Sequence, residues 1–464
     1  MSTEILIING SPRKNKNCFK ISEQISKTLT ENSISNKIFN IYDMNIEYCT
    51  ACGFCEKTGY CKFKDDMTPM YEMFDKARGV IVISPVNFDS ITAKLKTLVD
   101  RTQAIYASKY ILKKRQGGYG RGGRMKIEQD KINILGGVRG KKTLGGPISI
   151  EIKNKDYENW IKYMNPIEDV DFETKKVNNV RPGHADLVGC LKYDFTDARN
   201  VLERSSARET ASKVAVGAIC KQVLKNFDID FTSHVVQIGS VKDNNIYKFD
   251  YIKENVDKSE VRCVNKEVEE KIIKEIDKVK SEGDTLGGIV EIRVKNLIPG
   301  LGSYTQFDKK IDGELAMHLM SVQAIKGVEI GIGFDVANNP GSSVMDEIYY
   351  DVEDGIKRKT NRLGGIEGGM TTGEEVLIRC AMKPIPTLYK PLNSININTL
   401  ESYSASIERS DNCAVPACSI VCENVVAFVI CKYLLDKIGG DNLADLKTNY
   451  NSYVKRLGDR GWKK

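Results

Sequence analysis

KKRQGGYGRGGRMKIE, residues 113–128, sets Arg115, Arg121 and Arg124 among five glycines, with Lys113, Lys114 and Lys126 around them. A disordered arm that tracks a phosphate backbone normally repeats and carries aromatic stacking partners. This stretch does not repeat, and it passes directly into KINILGGV (131–138), which is strand-like. It therefore reads as the folded wall of a pocket for one small anionic ligand. Its glycines set the backbone shape, and its guanidiniums match carboxylate or phosphate two-pronged. Nucleic acid is not expected as a partner. The stretch also lies where the composition of the chain changes, so it divides the fold.

On its N-terminal side, EILIING (4–10) is an apolar, β-branched run followed by SPRKNKN and a helical pattern from Cys18 to about Leu29. NKIFNIYD (36–43) predicts a second strand. GVIVISPV (79–86), apolar throughout, predicts a third strand covered on both faces. Strands alternating with helices imply an open α/β sheet with ligands at the carboxyl ends of its strands. NGSPRKN (9–15), CTACGFCEKTGYCKFKDDM (49–67) and SPVNFDSITAKLKTLVDR (84–101) resemble the NADPH-dependent FMN reductase and iron–sulfur flavoprotein branch of the flavodoxin-like proteins. The resemblance implies that Ser11, Arg13 and Asn17 hold an FMN phosphate and that Ser84, Pro85, Val86 and Asn87 border the flavin. Cys49, Cys52, Cys55 and Cys61 have a spacing that can ligate a [4Fe–4S] cluster. A zinc site and a set of plain thiols are the alternatives. After Arg101 the motif reading finds none of the family's last two strand–helix units.

On the C-terminal side, the blocks run in order: RQGGYGRGGRMKIEQDKINILGGVRG (115–140), RPGHADL (181–187), ERSSARETASKVAVGAI (203–219) and GLGSYTQFDKKIDGELAMHLMSVQAIKG (300–327). KTNRLGGIEGGMTTGE (359–374), AMKPIPTLYKP (381–391) and ERSDNCAVPA (408–417) follow. Together they resemble chorismate synthase, a carbon–oxygen lyase acting on phosphates. That family eliminates phosphate from 5-enolpyruvylshikimate 3-phosphate with the help of reduced FMN. The resemblance implies helices sandwiched between antiparallel sheets and a homotetramer. The fold class is thus α/β plus α+β: a truncated flavodoxin-like parallel sheet at 1–108, then a chorismate-synthase-type domain at 109–464.

The site follows by the same resemblance. His184 and Asp411 occupy the catalytic positions. Arg204, Ser205 and Ser206, then Gln323 and Ala324, match flavin contacts. Gly368, the run Lys383, Pro384, Ile385, Pro386 and Thr387, and Arg409 complete the flavin pocket. Arg115 and Arg121 match positions associated with NADP, so NADPH is a further cofactor expectation, and the same guanidiniums could hold substrate anions. Arg181, Arg208 and Arg362 also fall inside the motifs. His318, in ELAMHLM, is expected to be a plain helix residue, and His234 has no motif around it.

The family opens with a GESHG motif that supplies a second active-site histidine, and this sequence contains none. A flavoprotein lacking its end joined to a synthase lacking its beginning suggests one in-frame deletion across neighbouring reading frames, with weakened turnover. The alternatives are a working bifunctional synthase and reductase, or a flavin reductase carrying an inactive synthase domain.

The whole chain limits other classes. Its 464 residues suffice for two or three domains, and a net charge of +7 is too small to argue for nucleic acid by itself. No apolar run is expected to reach the ~20 residues of a membrane span. Thirteen cysteines, an odd number, with no signal-peptide pattern, indicate reduced thiols and a cytoplasmic setting.

Overall fold

The three apolar runs near the N-terminus pair into one parallel sheet. β1 (Ile5–Asn9) lies between β2 (Asn36–Asn40) and β3 (Gly79–Ile83). α1 (Asn17–Glu31) and α2 (Met67–Lys76) complete the alternation. The computed structural model describes residues 5–47, 61–84, 112–122, 130–140, 142–390, 392–405 and 411–464. The chain divides into two units, Met1–Tyr110 and Ile111–Lys464.

In the first unit Leu6 and Ile8 are fully buried against Ile41, Met67 and Met70. Val80 and Val82 lie beside them in register but are 42% and 52% exposed. The expected cover on both faces of β3 is therefore not found among the described residues. The apolar cluster under α2 stops short of this border strand.

The second unit opens with α3 (Leu112–Gln116), the strand pair β4 (Asn133–Gly136) and β5 (Ser149–Glu151), and the short helices α4 (Asp186–Tyr193) and α5 (Arg199–Arg204). Its core is a five-stranded antiparallel sheet. The strands are β6 (Asp230–Ile238), β7 (Val241–Lys242), β8 (Gly288–Lys295), β9 (Ile325–Ile330) and β10 (Val376–Met382), in the order β9-β10-β8-β6-β7. Val290, Ile292 and Val294 of β8 alternate onto the apolar core and are fully buried, while Glu291 and Arg293 on the other face are also buried and pair with each other at 2.7 Å.

Two helices lie in this core, α6 (Thr210–Leu224) and α9 (Val415–Ile438). α7 (Lys266–Ser281) starts where the Asn265 side chain accepts from the Glu267 and Val268 amides, and it buries Ile272 and Ile276 on one stripe. α8 (Ile311–Met320) carries His318 on its surface, beside Glu314.

The described residues of the second unit form one five-stranded antiparallel sheet and several two-stranded pairs. β4 pairs with β5 and leaves Ile134 and Leu135 exposed, so this predicted strand has no wide sheet to join among the described residues. α9 is 24 residues long and apolar enough to cross a membrane by length and composition. It is buried along most of its length inside the unit instead, as a core helix is.

α6 and α9 approach closely at Gly217. A Cβ there would lie 2.3 Å from the Asn424 carbonyl oxygen, which is backbone and cannot rotate away. Gly217→Ala is expected to cost about 1–3 kcal/mol by forcing the helices apart, read as a lower urea midpoint.

The sheet also buries His234, whose imidazole burial pulls down to about 4, with Glu291 pulling the other way and Arg293 adding to the fall. The unfolded chain then binds a proton that the folded chain refuses. Stability from this group is present above about pH 6.5 and is lost as pH falls toward 4. His234→Gln should flatten that slope in urea titrations run across the interval.

Candidate active site

Six separate segments of the second unit, with Lys280 of α7 beside them, converge on a cavity of about 910 Å³. α3 contributes Arg115, and the glycine-rich turn after it contributes Arg121 and Gly122. The loop before α4 supplies Arg181, Gly183 and His184. The junction of α5 and α6 supplies Ser205, Ser206, Arg208 and Thr210. The turn after α8 gives Val322, Gln323 and Ala324, and the chain leaving β10 gives Met382, Lys383, Ile385, Pro386 and Thr387. Asp411, Asn412, Ala417, Cys418 and Val421 close it from the start of α9.

The cationic side chains do not stand alone. Arg181 donates from Nε to Asp186 Oδ2 at 2.8 Å and from Nη1 to Thr387 Oγ1 at 2.9 Å. His184 Nδ1 lies 2.5 Å from Asp186 Oδ1, an acceptor that calls for a proton on Nδ1, and the Arg181 Nη2 donor lies 3.0 Å from Nδ1 and 3.4 Å from Nε2. Desolvation, the largest influence on Asp186, pushes its carboxyl up. The hydrogen bonds from His184 and Arg181 together outweigh it and hold the carboxyl well below the ordinary carboxylate range.

Across the cavity, Arg121 Nη1 pairs with Asp411 Oδ2 at 2.8 Å, and the Gly122 amide donates to Asp411 Oδ1 at 2.6 Å. Burial pulls the Arg121 guanidinium down, and Asp411 pulls it back up. Lys383 Nζ donates to the Gly183 carbonyl at 2.6 Å. Its ammonium is lowered first by burial and then by Lys326 and Arg181.

The structure thus brings His184, Asp411, Ser205, Ser206, Gln323, Ala324, Lys383, Ile385, Pro386, Thr387, Arg115 and Arg121 to one cavity, with Pro384 between two of its lining residues. Ala324 adopts φ 71°, a left-handed backbone that costs a non-glycine residue about 1–2 kcal/mol, and its carbonyl accepts the Lys383 amide at 2.9 Å. Three residues stand elsewhere. Arg204 is 81% exposed and pairs with Glu209 at 3.0 Å. Gly368 sits in the tight turn between Ile366–Glu367 and Met370–Thr371. Arg362 donates to the Ser343 carbonyl. Arg124, Arg409, Cys49, Cys52, Cys55, Pro85, Val86 and Asn87 lie outside the described residues.

In the first unit the Ser11 amide donates to the Asn9 side chain, the Arg13 amide donates to Ser11 Oγ, and α1 begins at Asn17 with no side-chain cap. Sequence reasoning passed over Asp186 and Asp130. Both lie inside quoted blocks, at spacings from their arginines that signal nothing by themselves.

The cavity can be tested against a flavin. Among the described residues, Gln323 Oε1 and Arg115 Nε are buried and have no hydrogen-bond partner, so this wall keeps one acceptor and one donor in reserve. Val322, Ala324, Met382, Ile385 and Pro386 offer apolar surface beside these polar groups. A flat heterocycle with N–H and carbonyl edges and a phosphate tail fits that donor set.

A helix-and-sheet unit that gathers guanidiniums, an Asp-held histidine and a second aspartate on one cavity defines an enzyme doing acid–base chemistry on a polyanionic ligand. Known proteins agree. The chorismate synthase family profile matches residues 99–435, and the NADPH-dependent FMN reductase profile matches residues 3–150. A chorismate synthase of Alkaliphilus metalliredigens is 57% identical over 344 residues, covering 74% of this chain and 90% of that protein. One from Caldicellulosiruptor bescii is 50% identical over 76% of this chain and 91% of that protein. A crystal structure of chorismate synthase, 38% identical, superposes with a TM-score of 0.58 over 75% of this chain and 87% of its own.

The chain belongs to the chorismate synthase family. The reductase match runs past Arg101, where the motif reading places its end, and overlaps the synthase match over residues 99–150.

Asp186→Asn should leave buried Arg181 without its counter-charge and cost about 3 kcal/mol at neutral pH. A depressed carboxyl contributes stability that is complete above the ordinary carboxylate range and is lost as pH falls through and below it. The gap between wild type and variant should therefore shrink on acidification, as read by denaturant titration at several pH values.

Proposed function

We propose that this chain converts 5-enolpyruvylshikimate 3-phosphate to chorismate and inorganic phosphate by a 1,4-anti elimination, in aromatic amino-acid biosynthesis. The reaction breaks a C–H bond at ring C6 and a C–O bond at ring C3 and leaves a conjugated diene. The observation that carries this reading is the convergence of six distant motif segments on one cation-lined cavity.

Ser205, Ser206, Gln323, Ala324 and the Lys383–Thr387 run hold FMN. Reduced FMN, when bound, supplies transient electron density to the eliminating ring without net redox change. Asp411, fixed by Arg121 and the Gly122 amide, takes up the proton released at C6. His184, oriented through Nδ1 by Asp186, takes up a proton at its other ring nitrogen and returns it. Arg181 and Lys383 bind the anionic groups of the substrate. The protein works as a cytoplasmic homotetramer.

The missing GESHG histidine lowers turnover by about 10² to 10⁴ relative to a synthase that has it. The test is an anaerobic assay of the full chain with dithionite-reduced FMN. Slow chorismate release, abolished by Asp411→Asn and by His184→Ala, is expected. No chorismate from stoichiometric enzyme would defeat the function, and a rate equal to that of a relative with both histidines would defeat the role given to the absent one.

The first unit's reductase match favours a second activity, the NADPH-dependent reduction of FMN for the synthase. Steady NADPH oxidation with free FMN measures it. Iron and acid-labile sulfide in anaerobically purified protein measure a cluster at Cys49, Cys52, Cys55 and Cys61.

A further inference from the structure

One wall of the cavity is built around a carboxylate that does not itself line it. Asp130 has a fully buried side chain, with one oxygen on Arg115 Nη2 and the other on Arg208 Nη1. Both guanidiniums line the cavity. Arg115 is 5% exposed, donates from Nη1 to Thr210 Oγ1 at 3.2 Å, and its buried Nε has no partner among the described residues. Arg208 donates from Nη2 to the Lys153 carbonyl at 3.1 Å. These three side chains together carry a net charge of +1. The fork of each guanidinium is fixed in place by the same acid.

We infer that Asp130 is a positioning residue that also sets affinity: it orients Arg115 and Arg208 for an anionic ligand while cancelling half of their charge, so the wall holds a phosphate less tightly than two equally oriented arginines would without it. The attraction of a given anion scales with the net charge facing it, and the carboxylate subtracts one unit from the two guanidiniums. This rests on the cavity being the substrate site proposed above, but the charge arithmetic of the wall can be read without catalysis.

The experiment titrates inorganic phosphate into the full chain by calorimetry at low salt, for the wild type and three variants. Asp130→Asn raises the wall to +2, Arg208→Gln lowers it to 0, and the double variant returns it to +1. The first unit is common to all four chains, so differences between them report on the wall.

Asp130→Asn should bind phosphate about tenfold tighter, Arg208→Gln about tenfold weaker, and the double variant like the wild type. A purely structural Asp130 would instead weaken binding in all three. An Asp130→Asn chain with native circular dichroism and no gain in phosphate affinity overturns the inference. If that variant does not fold, the remaining pair decides: the double variant must bind phosphate more tightly than Arg208→Gln, and equality overturns the inference. A chain that follows this series yet makes no chorismate loses the proposed function and keeps the role of Asp130.

Discussion

The close crossing of α6 and α9 at Gly217 fixes where everything else can stand. With no side chain at that position, the two helices bring their backbones together, and the residues on either side of the contact inherit their places from it. Thr210, at the start of α6, is a partner of Arg115, while Ala417, Cys418 and Val421 of α9 form part of the cavity surface. Asp411 and Asn412 lie just before α9, so the position of the second acidic group is set by the helix that follows. The sheet beneath supports this arrangement through Val290, Ile292 and Val294, which pack with α9 residues in one continuous core.

The cavity shows a consistent electrostatic logic. Arg115 and Arg208 share Asp130, Arg121 is held by Asp411, and Arg181 by Asp186. Burying unpaired guanidiniums is costly, and pairing each with a carboxylate from a neighbouring loop meets that cost while freezing the fork in one orientation. Lys383 is treated differently: it is tied to the Gly183 backbone carbonyl, and burial together with Lys326 and Arg181 lowers its ammonium. The site therefore combines oriented, largely neutralised arginine forks with a less compensated ammonium.

Much of this was legible in the sequence, for reasons that can be stated. EILIING and the pattern after Cys18 have clear periods, and β1 and α1 occur within a residue or two of where those periods place them. His184 and Asp411 stood out because ordered blocks surround them. Asp130 and Asp186 stayed hidden because an aspartate's value here depends on which distant guanidinium folds onto it, and one residue among many acidic ones carries no local mark. α9 escaped a search for long apolar runs because Glu423, Lys432 and Asp436 interrupt it. Those charges are met by partners such as Lys221 and Glu314 once the chain is folded. The exposed face of β3 was illegible for a related reason: an apolar run reports what a strand could bury, not how far the covering helix extends.

The contact between Gly122 and Asp411 joins residues 289 apart in the chain. Contacts of such separation form late, since loop closure must precede any gain from them. During synthesis the arginine-rich turn leaves the ribosome long before Asp411 exists. For most of translation Arg121 then has no Asp411 to hold it, whereas Arg115 waits only for Asp130, 15 residues further on. The turn that carries both is therefore half-secured early, and completion of α9 closes it into a pocket wall.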